Sequence, residues 1–251
     1  MRFLNLVLGL ILCLFFSLSA SAERITIAVA SNFTAPMKSL VAAFEQTSKH
    51  KVRVAYGSSG KFYAQIKQGA PFALFFSADQ AKVSALIAQG LADEKSRFTY
   101  AVGRLVLWSN RDNLFLDGQH FLATDNYNKL ALANPRLAPY GSAALEVLSS
   151  LGLLQQSKAK WVQGENIAQT YQFIHSGNAE LGFVALSQVM RTGKVAHGSY
   201  WQVPSQLHQP IKQDAIVLNS AKNSAAAKAF ISFMHSKAAK QIIAQYGYEH
   251  V

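Results

Sequence analysis

Apolar positions along this chain alternate between two spacings. Arg24 to Ala30 (RITIAVA) strings together β-branched and small apolar residues and predicts a buried strand ending at Ser31-Asn32. Met37, Leu40, Val41 and Phe44 then share one face of a helix over 34–47, with Pro36 in the first turn, where its missing N–H is no loss. A second strand is predicted over 52–56, a turn at Gly57-Ser58-Ser59-Gly60, and a helix over 61–68. A third strand over 73–77 leads through Ala78-Asp79 into a helix reaching Gln89. Repeated strand–loop–helix units predict an α/β fold with mainly parallel sheets flanked by helices, which bind ligands beyond the carboxyl ends of their strands.

The pattern restarts at 100–109 (YAVGRLVLWS), read as one long strand. A short strand follows over 130–133, then helices opened by Pro139-Tyr140-Gly141 and by Ile167, a strand over 181–186 with a short helix at Ser187, an extended run over 215–218, and one long helix over 224–245. No Pro-, Gly- or Ser-rich linker divides the halves, so two strands must cross between lobes, near 101–105 and near 213–217. The expected organisation is a first lobe of residues 23–101 plus 217–251 and a second of 102–216, joined by a hinge that closes around a ligand.

The start of the chain reads as a secretion signal. Met1-Arg2 is a short positive region, Phe3 to Leu18 is mostly apolar, and Ala20-Ser21-Ala22 fits a cleavage site before Glu23. The apolar run falls short of the ~20 residues of a membrane span. Residues 1–22 are therefore expected to be removed and the mature protein to be periplasmic. The one cysteine, Cys13, lies inside that run, which excludes a disulfide or thiolate metal site in the mature chain. Charged residues make up 15% and hydrophobic ones 50%, a globular rather than disordered composition. The net charge of +11 favours anionic partners, but its lysines and arginines are scattered and no aromatic-basic nucleic-acid signature occurs. No nucleic-acid partner is expected.

Three segments at predicted strand ends place small or hydroxylated residues before a helix: Ala30-Ser31-Asn32, Gly57-Ser58-Ser59-Gly60 and Ala138-Pro139-Tyr140-Gly141. There the first-turn N–H groups lack intrahelical acceptors, and with the positive end of the helix dipole they suit an anion. Each segment taken alone is also an ordinary helix cap, since Ser and Asn are preferred there for local reasons. The same holds for Asp79, read as a cap rather than a charged gate. Gly57 to Lys61 lacks the spacing of a phosphate-binding P-loop, the histidines show no paired-ligand spacing, and GSSG is not a nucleophile elbow. Phe72, Phe75 and Phe76 are read as core.

Beyond the leader, the chain resembles the periplasmic molybdate-binding proteins of ABC importers over almost its whole length. The likeness is carried by ITIAVASNFTAPM, YGSSGKFYAQI, GAPFALFFSADQ, FTYAVGRLVLWS, NPRLAPYG, ENIAQTYQFIHSGNAELGFVALSQV and YGY. The resemblance implies a two-lobed periplasmic binding protein, not an enzyme and with no cofactor, that holds molybdate or tungstate in its cleft through hydroxyls and main-chain N–H groups. It implies ligand contacts from Ser31 (hydroxyl and main chain), Asn32, Ser59 with Ser58 beside it, the Tyr140 N–H and the Ile167 N–H. It also implies delivery to a membrane permease; a monomer is expected. Many family members carry a ligand-bonding tyrosine where this chain has Ala185, and Tyr140 is the expected substitute for that contact. A receptor for sulfate, phosphate or a carboxylate, and a secreted hydrolase using Ser31 or Ser59 with a histidine, are the competing readings; the second needs a histidine within hydrogen-bond reach of the serine.

Overall fold

The predicted strands are apolar at almost every position because the sheets they form are covered on both faces. Ile27 and Val29 pack on one side of β1 while Ala28 packs on the other; Leu74 and Phe76 against Phe75, and Ala215 and Val217 against Ile216, divide in the same way. Strands buried on both faces read as continuous hydrophobic runs rather than alternating ones.

A computed structural model describes residues 22–191 and 193–249. The expected secretion signal, Ala22 apart, lies outside the described residues. The strands are β1 (Arg24–Ala30), β2 (Lys51–Gly57), β3 (Leu74–Phe76), β4 (Phe98–Gly103), β5 (Leu105–Ser109) and β6 (Leu130–Ala133). They continue with β7 (Trp161–Gly164), β8 (Leu181–Ala185), β9 (Met190–Arg191), β10 (Lys194–Val195), β11 (Ser199–Gln202) and β12 (Ile211–Val217). The helices are α1 (Thr34–Thr47), α2 (Ser59–Lys67), α3 (Ala81–Ala88), α4 (Gly118–Thr124) and α5 (Pro139–Ser150). After them come α6 (Leu154–Ser157), α7 (Ile167–His175), α8 (Leu186–Val189), α9 (Ala225–Met234) and α10 (Lys237–Gln245). None of these helices is long and apolar enough to cross a membrane.

Two five-stranded sheets result, ordered β2-β1-β3-β12-β4 and β11-β5-β8-β6-β7, with β9 and β10 forming a separate two-stranded ribbon. In the first, β1 is parallel to β2 and β3, whereas β12 is antiparallel to β3 and β4. In the second, β6 is parallel to β7 and β8, whereas β5 is antiparallel to β8 and β11. The parallel character expected from the strand–helix units therefore belongs to three strands of each sheet. The antiparallel pairings are made where the chain passes from one sheet to the other.

That passage divides the long strand predicted over 100–109. β4 pairs in the first sheet and β5 in the second, with only Arg104 between them. The chain returns between Gln202 and Ile211, ahead of the 213–217 stretch assigned to the return from sequence. Those residues lie within β12, where Gln213 opposes Ala101 and a bulge separates Gln213 from Asp214. The helix predicted over 224–245 is likewise two helices. Ser236 caps α10 by accepting the Ala239 N–H at 3.2 Å, and serine favours that capping position over a helix interior.

Candidate functional site

The carboxyl end of β1 runs straight into a single 3-10 turn, Ser31–Phe33, which places Ser31 and Asn32 just beyond the carboxyl ends of the parallel strands. β2 delivers Ser58 to the cap of α2, where its hydroxyl accepts the Lys61 N–H at 3.3 Å. Ser59, the first residue of α2, accepts the Ala78 N–H on its Oγ at 2.9 Å. That bond uses a lone pair of the hydroxyl and not its hydrogen, which is the part an oxyanion needs.

The second sheet presents matching ends. Pro139 opens α5 with Tyr140 behind it, and Asn166 caps α7 by accepting from the Ala168 and Gln169 N–H groups at 2.9 and 3.0 Å. Ile167 is the first residue of α7. These elements surround a small cavity lined by Ser31, Asn32, Ser58, Ser59, Tyr140 and Ile167, together with small residues and Pro139. No lysine, arginine, aspartate or glutamate lines it. The positive ends of α2, α5 and α7 and of the Ser31 turn converge there. All five residues expected to hold an anion, and Ser58, thus share one cavity although they come from four separate stretches of chain.

The two halves touch around this cavity. Ser31 Oγ donates to Asn166 Oδ1 at 3.3 Å, the Gly60 N–H donates to the Leu137 carbonyl at 2.9 Å, and Lys61 Nζ lies 2.6 Å from a Glu165 carboxylate oxygen. Glycine is needed at position 60, because a Cβ there would stand 2.9 Å from Leu137 Cα and 3.0 Å from its oxygen. The arrangement is that of two lobes in direct contact around the cavity.

Comparison with known proteins agrees with this architecture. Residues 25–249 match the family described as bacterial extracellular solute-binding protein. The chain belongs to that family. This solute-binding protein is 46% identical over 240 residues to the molybdate-binding protein ModA of Azotobacter vinelandii, covering 96% of this chain and 93% of the relative. It is 45% identical over 245 residues to ModA of Rhodobacter capsulatus, covering 98% and 93%. The solved structure of the Azotobacter vinelandii periplasmic molybdate-binding protein superposes with a TM-score of 0.88 at 39% identity, over 90% of this chain and 99% of that one. Solute-binding proteins are transport components and not enzymes.

Several side chains of this solute-binding protein behave differently from their sequence-based assignments. The Asn32 carboxamide is engaged inside the protein: Nδ2 donates to Gln213 Oε1 at 2.8 Å and to the Tyr248 hydroxyl at 2.9 Å. What Asn32 offers the cavity is its main chain. The Tyr140 phenol accepts from Gln213 Nε2 at 3.2 Å, so that hydroxyl is engaged away from the cavity and does not make the contact expected in place of a tyrosine at 185. Ala185 does not line the cavity. Burial pushes the Tyr100 and Tyr140 phenols well above their ordinary range and Tyr248 to about 12, so all three stay neutral. Sequence reasoning missed this network of Tyr100, Gln213 and Tyr248; the YGY segment was noticed, but nothing in it indicated a partner.

The other candidates hold structural positions. Asp79 accepts the Lys82 N–H at 2.9 Å and pairs with the Lys82 ammonium at the start of α3, as a cap would. Phe75 and Phe76 are buried core, and Phe72 packs edge-on against Phe62. Among the described residues, no three His, Cys, Asp or Glu side chains are grouped so as to hold a metal ion.

Proposed function

We propose that this protein captures molybdate or tungstate between its two lobes and delivers it to the membrane permease of an ABC importer, working as a periplasmic monomer. The observation that carries this reading is the cavity itself, lined by hydroxyls and helix N-termini from both sheets and by no charged side chain. In it, Ser59 bonds the anion through its hydroxyl, Ser31 through its main chain and through its hydroxyl once that hydrogen turns away from Asn166 Oδ1, and Asn32, Tyr140 and Ile167 through main-chain N–H groups. The two crossings, at Arg104 and between Gln202 and Ile211, serve as the hinge between the lobes. Each hydrogen bond to a charged group contributes about 1.5–3 kcal/mol, so five to seven of them offset the desolvation of a dianion.

Donors alone also explain selectivity. Phosphate at neutral pH carries a proton that such a cavity leaves unpaired, and sulfate, the smaller tetrahedral dianion, reaches the donors of both lobes less well than molybdate does. The relatives named for molybdate binding support the same ligand. Removing the leader and melting the protein with molybdate, tungstate, sulfate or phosphate tests the reading. A specific ligand at 1,000 times its Kd adds about 4 kcal/mol, a rise in Tm of roughly 8–16 °C. A shift with sulfate equal to that with molybdate would overturn it.

A further inference from the structure

Asn32 lines the anion cavity through its main chain, yet its side chain and its carbonyl belong to a buried network that spans both lobes. The Asn32 carbonyl accepts from Ser187 Oγ at 2.8 Å and from the Tyr248 hydroxyl at 3.0 Å. Ser187 Oγ and the Tyr248 hydroxyl oxygen also lie 3.0 Å apart, so either hydroxyl can turn its single hydrogen from the Asn32 carbonyl to the other. Gln213 Oε1 accepts from Asn32 and, at 2.9 Å, from Tyr100, while its Nε2 reaches Tyr140. Asn32, Tyr100 and Gln213 lie on the first sheet or the turn leaving it; Tyr140 and Ser187 belong to the second lobe. Tyr248 touches members of both sets through a single atom, its hydroxyl oxygen, which meets Asn32 and Ser187.

The position of Tyr248 is fixed independently. The Glu249 N–H donates to the Val102 carbonyl at 3.3 Å, seating this segment on β4 two residues before the chain leaves the first sheet. The Tyr248 ring packs edge-on against Phe33 with centroids 5.1 Å apart. All six polar side chains are buried, so separating the lobes leaves polar groups without their partners unless water replaces them.

We propose that Tyr248 is a positioning residue for anion capture: its phenol fixes the Asn32 peptide and ties the second lobe to the first when the cleft is closed. It touches no ligand and acts through Asn32 and Ser187. The proposal rests on the anion-binding reading above. Because these bonds are made in the closed form, they govern release more than association.

Stopped-flow fluorescence with molybdate on the mature protein tests it. Tyr248→Phe is expected to speed release about tenfold with an association rate within twofold of the parent. Ser187→Ala, which keeps the phenol and removes its second-lobe partner, shifts release the same way. Tyr246→Phe is the control: among the described residues the Tyr246 hydroxyl bonds only Ser39 of the first lobe, at 2.8 Å, and its removal leaves release unchanged. Parent-like release in both Tyr248→Phe and Ser187→Ala overturns the proposal, as does a lowered Tm with unaltered release, the mark of a purely structural role. Should Tyr248→Phe fail to fold, Ser187→Ala decides alone. Absence of molybdate binding by the parent protein would instead bring down the anion reading, and this proposal with it.

Discussion

Lys61 and Glu165 meet at 2.6 Å across the cleft, each two residues along the chain from a residue lining the cavity, Ser59 and Ile167. Both side chains are about half exposed, at 46% and 60%, so the pair is screened and contributes only about 0.2–1 kcal/mol to closure. Its larger effect is on approach. With the lobes apart, Lys61 is a cation at the cavity mouth that draws an anion in, and closure then neutralises it against Glu165.

Lys61→Met is therefore expected to slow molybdate association and flatten its dependence on ionic strength, while raising Kd about 1.4- to 5-fold. Stopped-flow rates over a salt series measure this. Exchanging the two charges, Lys61→Glu with Glu165→Lys, restores the equilibrium affinity but not the parent geometry of attraction. Identical salt slopes for parent and Lys61→Met would exclude a steering role.

Ser59→Ala removes a hydroxyl that serves two masters, the anion and the Ala78 N–H. Unpairing groups of this kind costs on the order of 1–3 kcal/mol, so molybdate Kd should rise about 5- to 150-fold by calorimetry. Unchanged affinity would remove Ser59 from the site.

Gly60→Ala isolates closure from folding. The added methyl would meet Leu137 of the opposite lobe, whereas within its own helix alanine is the better residue. The expected result is weaker molybdate binding with an undiminished Tm in the absence of ligand. A protein destabilised equally with and without molybdate would contradict this.

Tyrosines of an unfolded chain ionise near 10. Burial holds Tyr248 to about 12 and Tyr100 and Tyr140 well above 10, so the folded protein keeps protons that the unfolded chain loses. Their contribution to stability is complete below pH 10 and is lost as the pH rises from 10 towards 12. Urea unfolding at stepped alkaline pH should show the midpoint falling over that window, with tyrosinate absorbance of the buried phenols developing only as the protein unfolds.

The sequence disclosed what is encoded locally. The RITIAVA run, the Pro139 helix start and the Ser-rich turn each signal their own conformation, and together they put Ser31, Ser59, Tyr140 and Ile167 at strand or helix ends. What escaped was long-range. The bonds from Asn32 to Ser187 and to Tyr248 join residues 155 and 216 positions apart, a distance over which no spacing rule operates. The crossing at Arg104 falls inside the 101–105 stretch read from the sequence, but its division into two strands escaped: YAVGRLVLWS is one extended run, and only the pairing partners of its two halves assign them to different sheets. β7 and β11, of four residues each and partly polar, carry too little periodicity to be recognised.

The convergence of α2, α5 and α7 has a consequence for the free protein. Helices from opposite lobes point like electrical poles at one small volume, and bringing them together without a counter-charge is uphill. An anion removes that one opposing contribution, so the cargo acts as the mortar that lets the bonds between the two bricks hold. A permease that recognises only the shut shape would then be spared futile visits from empty carriers, with no sensor needed beyond the ligand's own charge.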